Sequence, residues 1–256
     1  MAVVCRILRL GVRADALEAN DFGDRGHLSA QGFSQCICQP SARKEAVLSE
    51  LIDAVEGSSC QWKSIADTRC DLVTIFDWDD TLFCTTHVTR YPGASRKDRL
   101  LRSLAKSSRR LLEAAMARGR TFIVTNAAKG WVEYSAQKYM PEIWPVLAKV
   151  KIISARSSFE LMYPEDQMQW KVQAFISIMQ QLDTDLVGQV ISIGDSWFEM
   201  EAASYLRQRL EGLMVKTVKL QEYPSGDELK QQQSLLLKEM RKIIAHPEDA
   251  QFCYGL

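Results

Sequence analysis

Three carboxylates and a threonine follow an apolar run with almost no spacing between them. Leu72-Val73-Thr74-Ile75-Phe76 ends in Asp77-Trp78-Asp79-Asp80-Thr81. Like charges this close raise one another's proton affinity unless a cation stands between them. A hard cation such as Mg2+ takes oxygen ligands and suits a carboxylate paired with a backbone carbonyl. A strand followed by an acidic, solvated turn is the chemistry-free alternative, because Asp is common in turns. The single residue between Asp77 and Asp79, with the Thr81 hydroxyl two residues on, argues for a site where metal and substrate meet.

These residues need a frame. A short apolar run rich in β-branched residues reads as a buried strand of a parallel sheet. In open α/β sheets ligands collect at the carboxyl ends of the strands. Other strings share that form. Thr121-Phe122-Ile123-Val124-Thr125-Asn126 is an apolar run ending in small polar residues. A third run over 146–153 ends in Ser154-Ala155-Arg156, where Arg156 is either a surface residue or a substrate contact. A polar loop over 164–169 precedes Trp170-Lys171, read as the opening of a helix; a lysine there opposes the helix dipole and asks for an anionic partner. Val190-Ile191-Ser192-Ile193-Gly194-Asp195 is a fourth strand, and Glu199 follows four residues after Asp195. Gly194 permits a tight turn or a close approach of the backbone.

Helical spacing fills the intervals. Leu100, Leu101, Leu104, Leu111, Leu112, Ala115 and Met116 form one stripe, closed by Gly119. Its other face carries Arg96, Lys97, Arg99, Arg102, Lys106, Arg109 and Arg110: solvated surface, or a patch that steers an acidic or phosphorylated partner. Further helices are expected over 130–139, from 170 onward, around Ala202 to Leu210, and over 229–245, with a fifth strand over 213–220.

Taken together, the four strings resemble the motifs of the haloacid dehalogenase superfamily. Phe76-Asp77-Trp78-Asp79-Asp80-Thr81-Leu82 is similar to its first motif, Thr125 to the hydroxyl of its second, Lys171 to its third, and Gly194-Asp195 with Glu199 to its fourth, where Glu199 replaces the commoner Asp. The resemblance covers residues 71–245. The strings around Val124, Gly130 and Ile153 also resemble a subgroup found in protists and algae. It implies a Rossmannoid three-layer α/β/α fold with a central, mainly parallel sheet. It also implies a phosphatase acting through an aspartyl-phosphate: Asp77 as nucleophile, Asp79 as general acid–base, Thr125, Asn126 and Lys171 on the phosphate, and Mg2+ on Asp77, Asp79, Asp195 and Glu199. Asp79 excludes the carbon-attacking dehalogenases and, with the lack of membrane spans, the P-type ATPases. The short intervals over 82–120 and 156–171 leave no room for a large cap. An open site of this kind accords with a phosphoprotein or an accessible small phosphate ester. The alternative is a non-catalytic interaction protein that keeps the Mg2+ and phosphate site.

The chain of 256 residues suffices for a full core. Its 32 basic and 32 acidic residues cancel, so charge points to no nucleic-acid or membrane partner. The seven cysteines form no paired framework, and Cys36 and Cys38 lack a second pair at zinc-binding spacing. A reducing, cytoplasmic setting is expected; Arg6, Arg9 and Arg13 among apolar residues faintly resemble a mitochondrial targeting peptide. The expected organisation is an extension over 1–68, with loop over 20–41 and one helix over 42–55, a catalytic domain over 69–246, and a tail over 247–256.

Overall fold

The computed structural model describes residues 72–91, 93, 98–182 and 186–254. The expectations for the extension, the Cys36–Cys38 pair, Arg96 and Lys97 lie outside the described residues. Six strands form one sheet in the order β3-β2-β1-β4-β5-β6, all parallel. They are β1 (Leu72–Phe76), β2 (Arg120–Thr125), β3 (Lys151–Ser154), β4 (Gln189–Gly194), β5 (Met214–Leu220) and β6 (Ala250–Tyr254). Among the described residues eight α-helices connect them: α1 (Thr85–Arg90), α2 (Arg99–Met116), α3 (Trp131–Tyr139), α4 (Trp144–Leu147), α5 (Ala155–Phe159), α6 (Gln167–Gln180), α7 (Trp197–Arg209) and α8 (Gly226–Ala245). The expected α/β class with a central parallel sheet is what the chain forms.

Every residue of β1 is buried, because helices cover both sheet faces. Alternation along the strand decides which layer each side chain joins. Leu72 and Phe76 pack with α2, α3 and α8 in one cluster; Val73 and Ile75 pack with α6 and α7 in the other. The stripe predicted over 100–116 is α2, and Leu101, Leu104, Ala105, Leu111, Leu112 and Ala115 are its buried face. Asp98 caps it by accepting from the Leu100 N–H at 2.8 Å. Arg99, Arg102, Lys106, Arg109 and Arg110 lie on its exposed face, where Arg109 pairs with Glu113.

Three expectations need correction. The apolar run over 146–153 is not one strand: Val146 and Leu147 close α4, and β3 begins at Lys151. Pro145 preorganises the first turn of that short helix. The helix bearing Lys171 begins at Gln167, with Asp166 accepting from Gln169 N–H at 3.0 Å, so Lys171 stands one turn inside it. The tail over 247–256 contributes β6, which pairs with β5 from Lys216↔Ala250 to Leu220↔Tyr254. Asp249 starts the strand by accepting from Val215 N–H at 2.7 Å and pairing with Arg207 at 3.1 Å. As an edge strand, half-buried at all five positions, β6 lacks the apolar run that marks the central ones.

β1 has β2 on one side and β4 on the other. The chain leaves β1 toward β2 and leaves β4 toward β5, so the carboxyl ends of β1 and β4 flank the switch point where open sheets bind ligands. No helix of the described residues is long and apolar enough to cross a membrane.

Candidate active site

Asp77 extends β1 by one ladder bond, its N–H donating to Ile193 at 2.8 Å. Asp77 is 6% exposed, and its carboxylate meets Lys171 Nζ at 2.5 Å. The lysine reaches it from α6, 94 residues away in sequence. The same ammonium meets Glu199 Oε1 at 2.8 Å and donates to the Val124 carbonyl at 2.7 Å. An ammonium has three N–H bonds, and here each has an oxygen.

The turn after Asp77 folds back on itself. Leu82 and Phe83 N–H both donate to the Trp78 carbonyl, at 3.0 and 2.9 Å. Asp80 takes a positive φ of 51°, a region that Asp tolerates better than most residues. Its carboxylate accepts from Thr86 N–H at 2.9 Å and Thr86 Oγ1 at 2.5 Å, which ties down the first turn of α1. Trp78 is fully buried, and its indole N–H donates to Ser135 Oγ on α3 at 3.0 Å.

Asp79 points the other way and is only partly buried. Thr125 Oγ1 donates to its Oδ2 at 3.0 Å; Trp131 Nε1 and Thr85 Oγ1 donate to its Oδ1 at 2.8 and 2.5 Å. Trp131 and Ser135 are one helical turn apart on α3, so one face of that helix clamps both residues that follow Asp77. Thr125 itself is held by Ala127 N–H at 3.0 Å. Asn126, next along, donates its amide to the Gln167 carbonyl at 3.2 Å and so bridges the β2 end to α6.

At the β4 end, Asp195 Oδ1 lies 3.5 Å from Thr81 Oγ1. The Asp195 carbonyl takes the Lys219 ammonium at 2.5 Å. Glu199, 3% exposed, turns inward. Beyond Lys171 it completes a capping box, its Oε2 accepting from Ser196 N–H at 3.1 Å and Ser196 Oγ at 2.6 Å. A Cβ on Gly194 would stand 2.4 Å from Glu199 Cγ, so the glycine makes room for this carboxylate.

Lys171 therefore serves two buried acids, and negative charge is in excess. Burial lifts the Asp77 carboxyl well above its usual range; Lys171 opposes the shift, and Glu199, Asp195 and Asp79 reinforce it. Burial, then repulsion from Glu199 and Asp80, pushes Asp195 up to about 7. Burial works against the Lys171 charge, but Asp77 and Glu199 outweigh it and hold the ammonium protonated.

Such a surplus of hard oxygen donors suits a divalent cation. Among the described residues no three His, Cys, Asp or Glu side chains gather into a metal-holding group. Mg2+ does not require one, since it binds through one or two carboxylates and keeps waters and phosphate oxygens in its other positions. Asp77, Asp195 and the Asp79 carbonyl would suffice, whereas both Glu199 oxygens are committed to Lys171 and Ser196.

Asp77, Asp79, Thr125, Lys171, Asp195 and Glu199 thus converge on the ends of β1, β2 and β4. Arg156 does not join them: it is exposed, pairs with Glu160 at 3.1 Å and lies over Trp170. Sequence reasoning missed Thr85 and Trp131, whose contacts with Asp79 leave no mark in spacing. It also missed Gln233, a buried amide on the apolar stripe of α8 that donates to the Thr81 carbonyl at 2.9 Å and Ser108 Oγ at 3.0 Å. Two adjacent glutamines on that stripe were the available signal. No family model, curated protein or solved structure matches this chain.

Proposed function

We propose that the chain is a Mg2+-dependent phosphoester hydrolase of the haloacid dehalogenase type, acting on a phosphoprotein or an accessible small phosphate ester. One observation carries this reading: a carboxylate at the end of the central strand shares a buried lysine with Glu199, while a second carboxylate two residues on is bound by Thr125. A nucleophile, its charge-neutralising cation, a separate acid and a phosphate-facing hydroxyl are the parts that phosphoryl transfer through a carboxylate needs.

Asp77 Oδ attacks phosphorus and the bond to the leaving oxygen breaks. Asp79 supplies the proton to that oxygen, then takes one from the water that hydrolyses the aspartyl-phosphate. Lys171 orients Asp77 and offsets charge on the phosphoryl oxygens; the Thr125 hydroxyl, now on Asp79, is placed to donate to them as well. The Asn126 amide donates to Gln167, and its remaining N–H or its backbone N–H is the donor for phosphate. Glu199 serves by holding Lys171 rather than by binding the ion. A bound Mg2+, on Asp77, Asp195 and the Asp79 carbonyl, would supply Lewis-acid charge stabilisation. The helices between β1 and β2, and between β3 and β4, form no inserted domain among the described residues, which accords with a large substrate. The seven cysteines without a framework favour the cytoplasm as compartment.

The test is turnover of a generic aryl phosphate with Mg2+, beside EDTA and two variants. Activity should need Mg2+, vanish in Asp77→Asn, and fall roughly 10²–10⁴-fold in Asp79→Asn. Equal turnover by wild type and Asp77→Asn would sink the assignment.

A further inference from the structure

Trp131 on α3 holds Asp79, the acid of the hydrolase reading. Trp131 Nε1 donates to Asp79 Oδ1 at 2.8 Å, so the indole edge sits against the carboxylate that the hydrolase reading assigns to the departing oxygen. Phe83 packs edge-on to the indole at 6.3 Å between centroids, fixing it from the buried side. Tyr134 lies one turn along α3, tilted 34° to the indole with centroids 6.0 Å apart, and is 53% exposed. Lys138 holds the Tyr134 hydroxyl at 3.0 Å, so this exposed ring is also tethered. One indole on Asp79, with an exposed, tethered tyrosine ring packed beside it, offers aromatic surface to a flat apolar group.

Resting on the hydrolase reading, we propose that the site selects aryl phosphate esters, with Trp131 and Tyr134 receiving the leaving ring. In a protein the same chemistry is a phosphotyrosyl side chain. The balance is simple: the Asp77 oxygen–phosphorus bond forms, the phosphorus–phenol oxygen bond breaks, and the phenol oxygen takes its proton from Asp79. Water then attacks phosphorus, the aspartyl oxygen leaves, and the water's proton returns to Asp79. Ester and water become phenol and phosphate. A nucleoside monophosphate fits less well, because a ribose separates its base from the reacting oxygen.

A phenolate leaves more readily than an alkoxide from any catalyst, so selectivity must be read in binding. The experiment measures KM for phenyl phosphate and for an alkyl phosphate, and inhibition constants for benzylphosphonate and an alkylphosphonate of matched size. Wild type should favour the aryl member about tenfold in both, the upper range for one aromatic contact. Tyr134→Ala, at an exposed position that does not threaten folding, should bring the ratio close to one. Trp131→Phe keeps the ring but loses the N–H to Asp79, so kcat should fall while the aryl preference in KM persists. Trp144→Ala, an exposed indole on α4, should leave the ratio unchanged. A wild-type ratio near one, or a ratio that Tyr134→Ala does not move, overturns the proposal while leaving the hydrolase reading intact. Absence of turnover on every ester overturns both. Matched phosphotyrosyl and phosphoseryl peptides then separate the sources: a lower KM for the tyrosyl peptide than for phenyl phosphate supports a protein-borne ester, and the reverse supports a free one.

Discussion

Replacing Lys171 by Met removes one charge and keeps an unbranched side chain one atom shorter. It strips Asp77 Oδ1 and Glu199 Oε1 of a cation at 2.5 and 2.8 Å, and the Val124 carbonyl of a donor at 2.7 Å, where the lysine is only 1% exposed. Removing one partner of a buried pair costs about 3–5 kcal/mol, because the remaining charge stays buried without compensation. For a domain of this size roughly 2–4 °C of melting temperature accompanies each kcal/mol, so the loss should be about 6–20 °C. Urea unfolding followed by circular dichroism measures the free energy and a thermal scan the midpoint, with EDTA present so that metal binding does not stabilise the native state by mass action. Adding Glu199→Gln removes one of the stranded charges while preserving the contact with Ser196. The double variant should recover about 0.5–3 kcal/mol, the usual coupling between residues in contact. A single variant within about 1 kcal/mol of wild type, or a double variant weaker than the single, would refute the claim that Lys171 neutralises both acids.

The same geometry makes other demands. Gly194→Ala drives a Cβ into Glu199 and should destabilise by about 1–3 kcal/mol in urea, with part of the loss removed by shortening Glu199 to Asp. Gln233→Leu leaves the Thr81 and Leu82 carbonyls and Ser108 without their amide donor, and should cost about 1–3 kcal/mol by the same measurement. Cys84 is buried and its thiol is pushed up to about 12, chiefly by desolvation. Peptide mapping after iodoacetamide at pH 8 should find it unmodified in the native protein and alkylated in urea. As pH rises above the ordinary thiol value of 9.0, the unfolded chain ionises first. Stability should therefore decline from pH 9 toward 12, and less steeply in Cys84→Ala.

Much of the architecture was written in local pattern. Short apolar runs rich in β-branched residues suit strands buried on both faces, so β1, β2, β4 and β5 could be read one by one, as could the α2 stripe. The carboxylates at the β1 and β4 ends followed, because strand ends point to one edge. The signals faded where local and global demands parted. β6 is a short, half-buried edge strand pinned by Asp249, and its five residues look like a tail until β5 is beside them. Val146 and Leu147 belong to a helix whose start is set by Pro145 rather than by hydrophobicity.

Sequence alone determined which residue types could do chemistry and which strand ends would carry them. Only the tertiary structure decided how they pair. Glu199 stands four residues from Asp195 in a string that suggests a second metal ligand. Yet Gly194 opens space for its carboxylate to turn back to Ser196 and across to Lys171. Lys171 was expected at a helix start; it stands a turn inside, and it is charged because two acids from other elements surround it. Trp131 looked like one more helix residue, until the fold carried α3 beside the β1 loop and set its N–H on Asp79. Periodicity is a property of neighbours along the chain; the Lys171–Glu199, Trp131–Asp79 and Lys171–Asp77 contacts join residues 28 to 94 positions apart, so their partners are chosen by packing.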